Sequence, residues 1–169
     1  MKRNLQLVGC TLGVLLASAC SSGGSTAGGY QKPSAPAAST TAPAMSAAEP
    51  TGVATASNSV GPILTDTKGR ALYLFEGDKG LTSTCAGRCA TEWPPLTTPG
   101  PPVAGTGVNA ALLSTSPRPD GTLQVTYNGH PLYYYDDDHG PGTTAGQGES
   151  SYGAKWYLLT PAGLKIDDD

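Results

Sequence analysis

The densest group of potential metal ligands in the chain is Asp136-Asp137-Asp138-His139, with His130 nine residues before its last member. Carboxylates and imidazole together suit a divalent ion such as Zn²⁺, Mn²⁺ or Cu²⁺, so His130, Asp136, Asp138 and His139 form a candidate metal site. Successive side chains of an extended segment point to opposite faces, which works against all of them converging. Aromatic rings offer a second chemistry. Tyr73 and Phe75 precede Asp78, and Tyr133 and Tyr135 precede Asp138, at the same spacing. Such ring faces can stack on sugars, flavins or cations in a groove, or can pack as core. A carboxylate three residues after an aromatic at a strand end can accept backbone N–H groups and hold a turn. Thiol chemistry is poorly served, because Cys85 and Cys89 lack the two-residue spacing of thioredoxin-like pairs, haem attachment and most zinc knuckles. No Gly-x-Ser-x-Gly elbow occurs. The glycine-rich run from Gly140 to Glu149 lacks the Gly-Lys-Ser/Thr ending of a phosphate loop and reads as a surface loop. Folding can bring two distant carboxylates into one cleft, so an enzyme acting on wall glycans stands as a third reading.

The elements that must position these groups come in two copies. Gly69-Arg70-Ala71-Leu72-Tyr73-Leu74-Phe75-Glu76-Gly77-Asp78 returns as Gly129-His130-Pro131-Leu132-Tyr133-Tyr134-Tyr135-Asp136-Asp137-Asp138, and Glu92-Trp93 is echoed by Lys155-Trp156. The repeats span about 60–98 and 120–167. In each, an apolar stretch runs into a tight turn and then the motif strand: Ile63 to Thr65, Asp66 to Gly69, Ala71 to Phe75; then Leu123 to Tyr127, Asn128-Gly129, Leu132 to Tyr135. Asn-Gly tolerates the positive φ of a type I′ turn, so the second hairpin is the clearer one. Further reversals are expected at Asp120-Gly121 and at Thr160 to Gly163. Frequent turns without helical periodicity predict an all-β domain, a small sandwich or barrel, with one short disulfide-stapled helical turn around Thr84 to Thr91. Alternation puts Tyr73 and Phe75 on one face of their strand and Leu72 and Leu74 on the other, both apolar. Two related hairpins about a pseudo-twofold axis would bring the aromatic pairs together.

The chain begins with a basic tetrapeptide and an apolar run, Leu5 to Ala19, too short and too early for a spanning anchor and readable as a signal peptide over residues 1–19. Small residues before Cys20 match a lipoprotein-processing site, which would leave Cys20 as a lipidated first residue; Cys10 is the alternative, with a poorer apolar stretch upstream. Cys85 and Cys89 then remain to form one disulfide in an oxidising compartment, a staple worth about 2 kcal/mol for so short a loop. Residues 20–59 are Ser, Thr, Ala, Gly and Pro with few larger apolar residues, a disordered tether spanning roughly 30–35 Å if it behaves as a flexible coil. The folded domain is placed at 60–169. Removing Lys2 and Arg3 from 10 basic residues leaves 8 against 13 acidic ones, a charge of about −5 that speaks against nucleic acid and leaves membrane attachment to the acyl chains.

Tyr73-Leu74-Phe75-Glu76-Gly77-Asp78 and Tyr133-Tyr134-Tyr135-Asp136-Asp137-Asp138, with the Cys85 to Ala90 segment, Trp93-Pro94-Pro95-Leu96 and the Thr126 to Leu132 run, resemble the bacterial lipoprotein family that carries a Tyr-x-Phe/Trp/Tyr-x-x-Asp motif, also described as a secreted repeat of unknown function. The resemblance implies a small envelope lipoprotein with no assigned enzymatic activity. The expected protein is therefore a non-enzymatic binding or scaffold module, lipid-anchored through Cys20 on the outer face of the bacterial membrane, whose partner would be an envelope protein, a glycan or a metal. A metal-binding or redox-associated protein is the alternative.

Overall fold

The computed structural model describes residues 49–167. The signal peptide, the lipidation site at Cys20 and most of the tether lie outside the described residues. Strand β1 (Gly52–Asn58) pairs antiparallel with β2 (Gly61–Asp66), and β5 (Val103–Ala104) adds to it in parallel. A second small sheet has the order β3-β10-β9, formed by β3 (Tyr73–Phe75), β9 (Ser150–Ser151) and β10 (Ala154–Leu158). In the third, β4 (Thr97–Thr98) and β6 (Leu113–Pro117) flank β7 (Leu123–Tyr127), which also pairs with β8 (His130–Pro131). Single bridges join these sheets, among them Tyr73 to Tyr133 and Pro95 to Tyr133. The all-β expectation holds, and the one α-helix among the described residues is α1 (Arg88–Glu92).

Turn chemistry is where the sequence said it would be. Asn128 and Gly129 take φ of 48° and 84°, the positive pair of a type I′ turn between β7 and β8. Asp66 holds the first-repeat turn: its backbone N–H donates to Arg70 O, while its side chain accepts from the N–H groups of Lys68 and Arg70. The reversals at Asp120-Gly121 and Thr160 to Gly163 close through Gly121 N–H to Arg118 O and Gly163 N–H to Thr160 O. Cys85 and Cys89 are disulfide-bonded and both buried, at the start of α1.

The folded domain begins earlier than its composition predicts. Strand β1 falls inside the stretch assigned to the tether, and its Val53 is fully buried. Its small residues carry little packing surface, but a strand is held by its ladder as well, and here six registered pairs to β2 supplement one apolar anchor. Composition alone sees the missing side chains and not the backbone bonds.

The alternation around β3 divides the interior into two apolar clusters. Leu72 and Leu74 pack with Val53, Leu64, Leu96, Val125, Tyr127, Leu132, Tyr157 and Leu159. Tyr73 and Phe75 pack with Ile63, Cys85, Cys89, Trp93, Tyr133, Trp156 and Leu158. The second motif strand divides likewise, Leu132 on the first side and Tyr133 on the other, which is why neither copy shows a polar face.

Candidate functional site

The motif strands of the two repeats run side by side. Tyr73 N–H donates to Tyr133 O at 2.9 Å and Tyr133 N–H to Tyr73 O at 3.0 Å, so the exchange of repeats maps this pair onto itself. Their side chains cross over. The Tyr73 hydroxyl donates to Asp138 Oδ2 at 2.7 Å, and the Tyr133 hydroxyl donates to Asp78 Oδ2, also at 2.7 Å. Each aspartate closes its own turn through its backbone N–H, Asp78 to Phe75 O and Asp138 to Tyr135 O. Each also accepts a loop N–H on its other oxygen, Thr84 to Asp78 at 2.7 Å and Ala145 to Asp138 at 2.8 Å. The motif spacing thus has a physical content: the aspartate caps the turn after its own strand and receives the other repeat's tyrosine. Burial, partly offset by these bonds, holds both carboxyls above the ordinary aspartate range, and burial together with the carboxylate partners pushes both phenols well up.

Behind the crossed pairs lies a stack of rings. Phe75 stacks on Trp156 at 4.2 Å, Trp156 on Trp93 at 3.9 Å and 4°, and Trp93 on Tyr135 at 4.2 Å. The same exchange relates its two halves, Phe75 to Tyr135 and Trp156 to Trp93. Tyr73 meets Trp93 edge-on at 5.5 Å and Tyr133 meets Trp156 edge-on at 5.1 Å. Between a binding groove and a core, the rings choose the core: Tyr73, Tyr133, Trp93 and Trp156 are fully buried.

Symmetry fails at the ends, and the failures are polar. Gln124, fully buried, stands where the first repeat has Ile63, one residue before the matched pair Leu64 and Val125. It donates to Leu132 O and accepts from Arg118 Nη1 at 2.6 Å. The nearly buried Arg118 guanidinium also donates to Cys85 O and Ser83 Oγ, both at 2.8 Å, and Ser83 Oγ lies 2.7 Å from the Tyr133 hydroxyl. Sequence reasoning missed Arg118 and Gln124. A polar residue at a repeat position occupied by isoleucine was the available signal.

A second asymmetry sets Arg70 against His130, the residues that follow the glycine in each copy. Arg70 Nε pairs with Asp66 Oδ2 at 3.0 Å and its guanidinium lies 3.8 Å from the centre of the Tyr134 ring. Burial raises Asp66, but bonds from Arg70, Lys68 and Tyr134 outweigh it and leave the carboxyl below its usual range; the Tyr134 phenol, buried and facing Asp66, is pushed up to about 12. That end is filled by the protein's own side chains, and the 140–148 loop joins it through Gly142 N–H to Gly69 O. At the other end a cleft of about 570 Å³ remains, where Leu74, Phe75 and Leu164 meet Glu76, Asp78, Asn128, His130 and Lys165. Lys165 pairs with Glu76 at 2.9 Å and Asp167 at 2.7 Å, Asn128 donates to Gly163 O, and Asp78 holds Tyr133 and Thr84. His130, half-buried, makes no hydrogen bond through its imidazole among the described residues.

The metal candidates are not brought together. Asp138 is engaged by Tyr73 and Ala145, Asp136 and His139 are exposed, and His130 faces Asp78 at the cleft. Among the described residues no group of three or more His, Cys, Asp or Glu side chains is placed to hold an ion. Burial lowers the His130 pKa, with Asp78 pulling the other way. A lowered histidine supplies stability above its unfolded value that disappears as pH falls through the folded value. Wild type should therefore lose stability relative to His130→Gln below about pH 6.5, and run parallel to it above, in urea denaturation across pH.

A family model described as a secreted repeat of unknown function matches residues 54–97 and 114–160. The chain belongs to this family. Both matched segments open inside a strand, β1 or β6, that pairs with the first strand of its repeat, β2 or β7, and both contain a motif strand, so in this chain each matched segment crosses its tyrosine over to the other. The match begins at Ala54, within the stretch assigned to the tether, in agreement with the ordered β1. No curated protein and no solved structure matched the chain in the corresponding comparisons.

Proposed function

We propose that this secreted-repeat protein is a lipid-anchored envelope module that binds a small organic cation in the cleft at His130 and catalyses no reaction. The observation that carries the reading is the cleft itself. It combines an apolar floor with two carboxylates, Glu76 and Asp78, against a single lysine, Lys165, so its lining carries one negative charge in excess. An ammonium group with an apolar tail matches that balance, and the unpartnered imidazole of His130 can accept its hydrogen bond. A catalytic role suits the cleft less well, because both oxygens of Asp78 are engaged by Tyr133 and Thr84. The anchor rests on Cys20 and the small residues before it.

The two parts are tested separately. Titration with butylammonium, followed through the His130 ring proton resonance, should give a saturable shift that butyrate does not reproduce and that is lost in Leu164→Lys, at an exposed position of the cleft wall. Equal responses to both ions, or none, would sink the cleft reading. Membrane fractionation of cells should move the protein to the soluble extracellular fraction in Cys20→Ala, and continued membrane retention would remove the anchor.

A further inference from the structure

We propose that the ring stack and the crossed tyrosines form a radical relay, in which an oxidising equivalent received at the surface is passed through Trp93 and Trp156 and held on Tyr73 or Tyr133. Three observations carry this. First, contact is continuous: Tyr135, which is only partly buried, stacks on Trp93 at 4.2 Å, Trp93 on Trp156 at 3.9 Å, and each indole touches one buried tyrosine. Second, the indole N–H groups of Trp93 and Trp156 are both buried without a hydrogen-bond partner among the described residues. An indole that loses an electron there has nowhere to send its proton, so it stays a radical cation and remains a strong oxidant. Third, each neighbouring phenol has a proton acceptor in place, Asp138 Oδ2 for Tyr73 and Asp78 Oδ2 for Tyr133, each at 2.7 Å, within reach for direct transfer. Proton affinity thus sets the direction of flow, from indole to phenol.

A one-electron oxidant at the surface, such as an oxygen-centred radical, takes an electron from Trp93 across the stacked Tyr135 ring and is reduced with a proton from solvent to its hydroxyl compound. Tyr73 then fills the hole on Trp93. Its O–H bond breaks, the electron goes to the indole, the proton goes to Asp138 Oδ2, and a neutral tyrosyl radical remains. A thiolate returns the electron and leaves as a thiyl radical, two of which couple to a disulfide, and Asp138 returns the proton to the phenol. Burial raises both phenols further above neutral, which disfavours loss of the proton ahead of the electron.

The experiment uses the full-length protein in detergent and photogenerated tris(bipyridine)ruthenium(III), with radicals followed by transient absorption and electron paramagnetic resonance. The expected result is an indole radical cation that decays into a tyrosyl radical, more slowly in D₂O. In Tyr73→Phe/Tyr133→Phe the indole radical should persist longer by about tenfold or more. Should that variant fail to fold, the wild-type solvent comparison decides: equal decay in H₂O and D₂O overturns the relay. A tyrosyl signal that appears without an indole precursor and vanishes in Tyr152→Phe, an exposed position, overturns it as well.

Discussion

Trp156→Ala is expected to destabilise the domain by about 3–5 kcal/mol, the usual cost of emptying a fully buried large aromatic site. The residue is 0% exposed and sits between Phe75 at 4.2 Å and Trp93 at 3.9 Å, with the Tyr133 ring against its edge. Its strand also pairs with β3, Trp156 opposite Phe75, so collapse of the surroundings into the void is resisted by a backbone ladder. Against a total stability of about 5–15 kcal/mol for a domain of this kind, that loss is a large fraction. Urea denaturation should show a lower midpoint with an unchanged slope. A loss under about 1 kcal/mol would mean that the stack is not the core of the fold.

The second large effect belongs to the crossed pairs. Tyr73→Phe removes a hydroxyl and leaves Asp138 Oδ2 without its donor, a change expected to cost about 1–3 kcal/mol. Asp138→Ala adds the loss of the Ala145 N–H contact that holds the loop after the second motif. A double-mutant cycle on Tyr73 and Asp138 isolates the shared bond and should give a coupling of about 1–2 kcal/mol, although the residues lie 65 positions apart. Tyr73 and Asp78, members of the same motif copy, should show a smaller coupling. The reverse ranking would place the bond within a repeat and contradict the crossing.

Much of the fold could be read in the chain because its signals were local. Asn128-Gly129 forms its turn through its own backbone preferences, and the alternation of Tyr73 and Phe75 with Leu72 and Leu74 reports two buried faces directly. The placing of Asp78 and Asp138 at turns was legible for the same reason. Which tyrosine each aspartate receives was not, since the answer lies in a contact between repeats that no spacing within one copy encodes. Strand β1 was missed because its stability comes from backbone pairing, which leaves no trace in composition. The Asp136 to His139 cluster was a metal candidate by residue type alone, and the alternation of side chains already argued against its converging. In the fold Asp138 turns inward to Tyr73 while Asp136 and His139 face solvent.

The crossing of tyrosines between repeats also bears on how such a protein could arise. A lone repeat would leave its tyrosine without an acceptor and its aspartate without a donor, and both needs are met at once by a second identical chain placed across a twofold axis. That is an isologous homodimer, whose every contact is made twice. Joining two such subunits in one chain makes their meeting intramolecular, at the high effective concentration that a short connection provides. It also frees the halves from identity: one end can keep arginine and close while the other takes histidine and stays open, a difference no symmetric dimer could sustain.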